Sequence, residues 1–189
     1  YFVSAKAIGR AGSTGANGRI QLGLIGAGGM GRGNLRNCTK YDDVAVLGIC
    51  DVWKARRDRL VAEFEKSAKA YHDYRDMLQQ KDIDAIIIAV PDHHHAQMTI
   101  DAIQAGKHVY CEKPLAHSID EVRRVTEAAR EAGVATQMGN QGHSSEGIRL
   151  ICEWIWDGAI GDVTEVHAWT NRPIWPQGNI KYYDTLNSV

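Results

Sequence analysis

The feature that most constrains this chain is a glycine-rich turn between an apolar run and a helical segment. Residues 26–31 read GAGGMG and fit the pattern G-x-G-x-x-G. The apolar run 21–25 before the turn has the composition of a strand, and residues 30–38 after it have helical spacing. In this strand–turn–helix context, backbone N–H groups at the start of the helix are expected to bind an anion such as a pyrophosphate.

The three glycines of the pattern have separate predicted roles. Gly26 permits a tight turn, Gly28 lets the backbone approach a pyrophosphate because it has no Cβ, and Gly31 allows the helix to pack closely on the strand. The alternative is an ordinary tight turn between a strand and a helix, without a ligand.

An acidic residue supports the dinucleotide interpretation. Asp51 ends the second predicted strand, roughly 20 residues past the last glycine of the turn. A carboxylate there accepts both hydroxyls of an adenosine ribose and repels a 2′-phosphate, which favours NAD over NADP. Arg56 and Arg57 weaken this preference, since an arginine offsets the repulsion. The alternative role for Asp51 is a helix cap.

Short β-branched runs alternate with helical segments from residue 19 onward. We expect strands at 20–27, 44–51, 70–72, 85–90, 108–112 and 134–139, and helices at 30–38, 53–66, 74–80, 94–105 and 118–133. Apolar spacing predicts that the helix from residue 53 has one apolar face, formed by Trp53, Leu60, Val61 and Phe64. It also predicts that the helix after Ser118 buries Ile119, Val122, Val125 and Ala129. The alternation predicts an α/β fold with a Rossmann-type, doubly wound parallel sheet.

The pattern changes after Asn140. A helix is expected at 145–156 and a strand at 163–170, whereas 173–189 has no clear period. We therefore expect a flexible arm at 1–18, a dinucleotide-binding domain at 19–140, and the truncated start of a second domain at 141–189.

Charge and cysteine usage limit the classes of partner. The net charge is −1 and the isoelectric point is about 6.8, which argues against nucleic acid or an anionic membrane as a partner. The four cysteines form no CxxC pair and are interpreted as free thiols or small buried hydrophobic residues. Cys50 and Cys111 are expected roughly 14 Å apart on the sheet, too far for a disulfide.

Two further loops follow predicted strands at the edge where ligands bind in open α/β sheets. Residues 91–95 read PDHHH, but adjacent histidines point in different directions and lack suitably spaced partners. A solvated helix start, with one histidine toward a cofactor, is therefore favoured over a metal site.

The second loop, 111–114, reads CEKP. Lys113 would lie near a nicotinamide ring and could stabilise a developing alkoxide during hydride transfer. The alternative is a surface lysine beside Glu112.

These motifs together resemble the Gfo/Idh/MocA oxidoreductases. The resemblance rests on residues 26–31, Asp51, residues 91–95 and, most specifically, the string AGKHVYCEKP at 105–114. It implies a Rossmann domain followed by an α/β domain built on an antiparallel sheet. It also implies NAD(P)-dependent hydride transfer on a sugar, inositol or related polyol, with a homo-oligomeric full-length protein.

The resemblance also assigns roles to individual residues. It places the pyrophosphate on the glycine-rich turn, at Gly26, Gly28, Gly29, Met30 and Gly31, and the ribose on Asp51. The other expected contacts to cofactor or substrate come from the later loops, at Pro91, His95, Glu112, Lys113 and Asn140. Lys113 would be the catalytic lysine, and no metal is expected.

This sequence departs from the family pattern in one important respect. Family members carry an Asp-x-x-x-His element that supplies an acid/base histidine, and no Asp here has His four residues later. Together with its length, this predicts a truncated member. Two alternatives stay open: an NAD-dependent glycoside hydrolase of the same family, and a dinucleotide-binding fragment without catalysis.

The cellular location also stays open at this point. The arm 1–18 lacks the unbroken apolar stretch of a signal peptide. It is similar to the segment after a twin-arginine leader in exported bacterial members. Both cytoplasm and export are retained as expectations.

Overall fold

The computed structural model describes residues 18–64 and 67–169. Its strands are β1 (Ile20–Ile25), β2 (Val44–Cys50), β3 (Lys69–Tyr71), β4 (Ala85–Ile88), β5 (His108–Glu112) and β6 (Thr136–Gly139). Its helices are α1 (Gly29–Cys38), α2 (Lys54–Ala62), α3 (Tyr74–Leu78), α4 (His95–Gln104), α5 (Ile119–Ala132) and α6 (Glu146–Trp156). The alternation predicted between residues 19 and 140 is confirmed, with element ends shifted by a few residues.

The six strands form one parallel sheet in the order β3-β2-β1-β4-β5-β6. The chain moves outward from β1 to β3 and then returns to place β4 on the other side of β1. This reversal is the topological switch point of a doubly wound fold, and the crevice for a ligand lies there. The predicted Rossmann-type sheet is therefore confirmed.

The register of four neighbouring strands determines how far apart two buried cysteines lie. Cys50, Ile25, Ile88 and Cys111 are neighbours in register on β2, β1, β4 and β5. Two strands thus separate the two thiols, as expected, and both are buried and free.

The core lies on both faces of the central strands. Ile86, Ile87 and Ile88 of β4 are at most 3% exposed, and Leu24 and Ile49 on the neighbouring strands are fully buried. Burying side chains of this size stabilises the fold by about 1.5–3 kcal/mol each. This packing holds the strand ends, and hence the loops that follow them, in fixed positions.

Helix α5 begins with the capping box that its sequence predicts. Ser118 accepts a hydrogen bond from the Glu121 N–H, and the Glu121 carboxylate accepts one from the Ser118 N–H. The burial expected for its first turn is wrong, because Ile119 is 74% exposed and Val122 is 38% exposed. The apolar cluster with α4 meets the helix at Val125 and Ala128, so the first turn lies outside it.

The expectation that Trp53 is buried is also wrong. Trp53 is the extended N-cap residue of α2 and is 56% exposed, whereas Leu60 of the same helix is 1% exposed. Trp53 therefore precedes the helix and does not share its buried face, and the Arg56 guanidinium carbon lies 4.1 Å from the centroid of the Trp53 ring. Helix α2 ends at Ala62, and residues 65–66 of the expected helix lie outside the described residues.

Contacts divide the chain into two compact units after Gln141. In the second unit, Ser145 caps α6 by accepting a hydrogen bond from the Ile148 N–H. The expected strand at 163–170 is not present over 163–169, because those residues join no strand ladder in the described chain. Residue 170, the segment 173–189 and most of the arm 1–18 lie outside the described residues.

None of the helices in the described residues combines the length and the hydropathy that a bilayer crossing requires.

Candidate functional site

The register of the sheet brings three of the predicted loops together. Ile25 pairs with both Cys50 and Ile88. Gly26, Asp51 and the residues after Ile88 therefore leave three adjacent strands side by side. This is the edge on either side of the switch point, where the crevice opens.

The later loops meet at the same edge. Glu112 on β5 pairs with Gly139 on β6, so Lys113 and Asn140 follow on adjacent strands. Lys113 is exposed and Asn140 is half-buried. The topology thus places the loops that carry the predicted site residues along one edge of one sheet.

Two glycines of the turn are required by the fold itself. Gly26 has φ of +96°, and a Cβ on it would lie 2.2 Å from the Ala89 carbonyl oxygen. A Cβ on Gly31 would lie 2.0 Å from the Gly26 carbonyl oxygen. Contacts this short would force the backbone apart, so these positions accept only hydrogen as a side chain.

The other two glycines of the turn face open space. A Cβ on Gly28 or Gly29 would have no atom within 4 Å among the described residues. Gly28 is the N-cap of α1, and no side chain caps that helix. The first-turn N–H groups therefore lack a side-chain acceptor beside an unfilled space, and this arrangement fits a pyrophosphate.

Asp51 connects the end of β2 to the glycine-rich turn. Its Oδ2 accepts a hydrogen bond from the Ala27 N–H at 2.8 Å, and its Oδ1 accepts one from the Trp53 N–H at 2.7 Å. The second bond closes a turn just before α2, but the N-cap residue of that helix is Trp53 and no side chain caps it, so the alternative role of Asp51 as a helix cap is wrong. Each carboxylate oxygen keeps a further acceptor position, so the group can still bind two ribose hydroxyls.

A cavity of about 340 Å³ opens beside Asp51. Its walls come from the loops after β1, β2 and β4 and include Gly28, Val52, Val90, Pro91 and His94. The cavity has the position expected for the adenosine end of a dinucleotide, next to the turn that would hold its phosphates.

The structure places Pro91 at this cavity but places His95 elsewhere. Residues Asp92–His94 form a short 3₁₀ turn, after which His95 begins α4 with its ring directed inward. His95 is 1% exposed and is not among the residues that line the cavity, whereas His94 is. The described residues contain no cluster of three or more side chains suited to hold a metal ion.

Both ring nitrogens of His95 meet backbone carbonyl groups. Nδ1 lies 2.5 Å from the Pro114 oxygen, and Nε2 lies 2.8 Å from the Val90 oxygen. Burial by itself lowers the pKa of His95, but interaction with Cys111 and hydrogen bonds to the two carbonyls outweigh it and raise the pKa to about 9.

Glu112 is held by two amide side chains that the sequence did not single out. It is 4% exposed, and its Oε1 accepts hydrogen bonds from Asn34 Nδ2 at 2.6 Å and Gln141 Nε2 at 2.5 Å. A Cβ on Gly139 would lie 2.8 Å from this carboxylate. The absence of a side chain at Gly139 therefore leaves space for the Glu112 carboxylate. Asn34 is 78 residues from Glu112, and no local pattern could have paired them.

The comparisons with known proteins agree with this geometry. Residues 20–140 match the family model GFO_IDH_MocA, described as an oxidoreductase family with an NAD-binding Rossmann fold. The chain is 35% identical over 171 residues to an uncharacterized oxidoreductase, YrbE, of Bacillus subtilis (strain 168), covering 90% of this chain and 49% of the relative. It is 36% identical over 144 residues to an inositol 2-dehydrogenase of Klebsiella pneumoniae (strain 342), and the match covers 75% of this chain and 43% of that relative.

A solved structure shows the same fold. The scyllo-inositol dehydrogenase from Lactobacillus casei, with bound NAD(H) and scyllo-inositol, aligns with a TM-score of 0.72 and 28% identity over 77% of this chain and 43% of that one. The chain spans about half the length, or less, of the relatives that it matches here. Because the family model covers the whole parallel sheet and its carboxyl-edge loops, this chain belongs to the Gfo/Idh/MocA oxidoreductase family and contains that family's NAD-binding Rossmann fold.

Proposed function

We propose that this chain binds NAD(H) at the carboxyl edge of its sheet and forms the cofactor half of a dehydrogenase that acts on a small polyol such as an inositol. The observation that carries the proposal is the unfilled space at Gly28 and Gly29, beside uncapped N–H groups and the Asp51 carboxylate. The named relatives support the choice of polyol, since two of the proteins described above are inositol dehydrogenases.

The residues that would hold the cofactor follow from their positions. In the proposed complex, the turn from Gly26 to Gly31 contacts the pyrophosphate, with Met30 at its exposed rim, and Asp51 accepts hydrogen bonds from the adenosine ribose. Pro91 forms part of the wall at the adenosine end. Bound NAD supplies the nicotinamide carbon that exchanges hydride with the substrate.

The residues on β5 and β6 would act at the other end of the cofactor. The Lys113 ammonium donates a hydrogen bond to the substrate hydroxyl and stabilises negative charge that develops on its oxygen. The Asn140 amide, on the adjacent strand, contacts nicotinamide or substrate. Glu112 holds this end of the site together through Asn34 and Gln141.

A titration and a turnover assay test the proposal together. Calorimetry should show saturable binding of NAD and NADH, and Asp51→Ala should weaken it. With NAD and a panel of inositols and aldoses, accumulation of NADH identifies a dehydrogenase. Release of sugar from a glycoside without net NADH would instead indicate the glycosidase alternative, and binding without any turnover would indicate a binding module. No binding of either coenzyme by folded protein would refute the proposal.

The self-association of the whole protein and its cellular location, either cytoplasmic or exported, stay predictions. Light scattering on the purified protein would test self-association. Fractionation of cells would test its location.

A further inference from the structure

His95 occupies a buried position between two loops of the proposed site. It starts α4 directly after the loop that follows β4, and its ring reaches the loop that follows β5. Its contacts are the carbonyl oxygens of Val90 and Pro114, at 2.8 Å and 2.5 Å from the two ring nitrogens. Nothing in the proposed mechanism uses this side chain.

These contacts specify the protonation state of the ring. A neutral imidazole carries one N–H donor and one bare nitrogen that only accepts. Carbonyl oxygens cannot donate, so a neutral ring would leave its bare nitrogen facing an oxygen lone pair at hydrogen-bond distance. An imidazolium donates to both carbonyls, and it alone satisfies this geometry.

The side chains around the His95 ring also affect its protonation state. Among the described residues, the titratable side chain that interacts with the His95 ring is Cys111 of β5, which is itself 1% exposed. Burial lowers the pKa of His95, but interaction with Cys111 and the hydrogen bonds to the two carbonyls outweigh burial and raise the pKa to about 9, the direction that the geometry requires.

The two carbonyls belong to segments with different proposed tasks. Val90 lines the cavity beside Asp51. Pro114 directly follows Lys113, whose ammonium is proposed to contact the substrate. A single ring thus ties the wall at the adenosine end to the backbone that carries the lysine.

We propose that His95 is a positioning residue, an imidazolium that fastens the Val90 and Pro114 carbonyls and thereby fixes Lys113 relative to the cofactor cleft. The effect on Lys113 rests on the proposed function, whereas the double donation by the ring does not. The role differs from the direct cofactor contact that the family resemblance predicted for His95.

The first test observes the ring without any cofactor. In the chain labelled with ¹⁵N-histidine, NMR at pH 7.5 should show both ring nitrogens of His95 protonated. Assignment follows from the signal lost in His95→Gln. A His95 ring with one bare nitrogen at this pH would overturn the inference, whether or not the chain binds NAD.

The second test asks whether the ring acts on the site. His95→Phe removes both donors and should weaken NAD binding about tenfold, whereas His95→Gln, which keeps an amide donor, should lose less. The matched control is Thr99→Val, which is equally buried one turn later on α4. It should bind NAD like the unmodified chain.

The outcomes separate the inference from the proposed function. In an active NAD-loaded enzyme, His95→Phe should lower kcat more than it changes the KM for polyol, because Lys113 is displaced. Folded His95→Phe with unchanged NAD affinity and kcat would overturn the positioning role. If His95→Phe does not fold, His95→Gln and the NMR measurement decide. If the unmodified chain binds no NAD, the proposed function fails, and the NMR result still decides the double donation.

Discussion

Replacing Gly28 by alanine should abolish cofactor binding while leaving the fold intact. Gly28 has φ of −72° and ψ of −171°, which alanine adopts readily, and its Cβ would have no neighbour within 4 Å. Loss of glycine at an N-cap costs up to about 1 kcal/mol, and the lower entropy of the unfolded chain offsets about 0.4–1 kcal/mol of that. The melting temperature should therefore change by less than about 4 °C.

The same methyl group would stand where a phosphate must approach the helix N–H groups. Ligand at 100 times its dissociation constant stabilises a protein by about 2.7 kcal/mol. For a chain of this size, that is a rise of about 5–10 °C in melting temperature. We expect this rise with NAD for the unmodified chain and little or none for Gly28→Ala.

Gly31→Ala provides the matched contrast within the same turn. Its Cβ would lie 2.0 Å from the Gly26 oxygen and 3.1 Å from Leu24 Cδ1, so the backbone itself must move. Overpacking of this kind costs about 1–3 kcal/mol, so thermal scans without ligand should show a melting temperature lower by about 2–12 °C. An NAD-induced rise retained in Gly28→Ala would refute the assignment of the phosphate to that space. Unchanged melting of Gly31→Ala would refute the packing argument.

Four further outcomes are expected. Asp51→Ala should weaken NAD binding and relax the discrimination against NADP, and calorimetry that gave an unaltered NAD/NADP affinity ratio would contradict the ribose assignment. Lys113→Ala in the active enzyme should lower kcat with little change in NAD affinity, and steady-state kinetics with unchanged kcat would remove Lys113 from the mechanism. Lys107 is 6% exposed, and its Nζ donates hydrogen bonds to the Gln80 and Ile83 carbonyls at 2.7 Å each. Lys107→Met should therefore lower the free energy of unfolding, measured in urea, by about 2–3 kcal/mol. The control Lys54→Met, at a side chain that is 80% exposed, should leave that free energy almost unchanged. Because the folded-state pKa of His95 is raised from 6.5 to about 9, its contribution to stability is fully present below pH 6.5 and is lost as the pH rises through 9. That contribution is at most about 3 kcal/mol, and it should be absent from the pH dependence of unfolding in His95→Gln.

The class of fold and the local architecture of the phosphate turn follow from the amino-acid sequence. A strand followed by G-x-G-x-x-G and a helix is a local pattern, because Gly26 and Gly31 are required by atoms close to them in the chain or in the loop after the adjacent strand. The sequence also predicts the α5 capping box, because the Ser118 and Glu121 side chains accept hydrogen bonds from each other's backbone N–H groups within one helical turn. Asp51 was found for the same reason, as it ends a strand whose place in the fold follows from the alternation.

The positions of the later loops depend on contacts between segments that are distant in the chain. His95 lies 19 residues from Pro114, and Glu112 lies 29 residues from Gln141, so these contacts arise once the sheet order sets neighbouring strand ends side by side. The exposure of Trp53 likewise could not be predicted from the sequence. An apolar residue at helical spacing packs inward only if it lies within the helix and another surface lies opposite. Local patterns fix which groups stand at the edge of the sheet, whereas the packing of distant segments fixes where those groups point and whether they carry a proton.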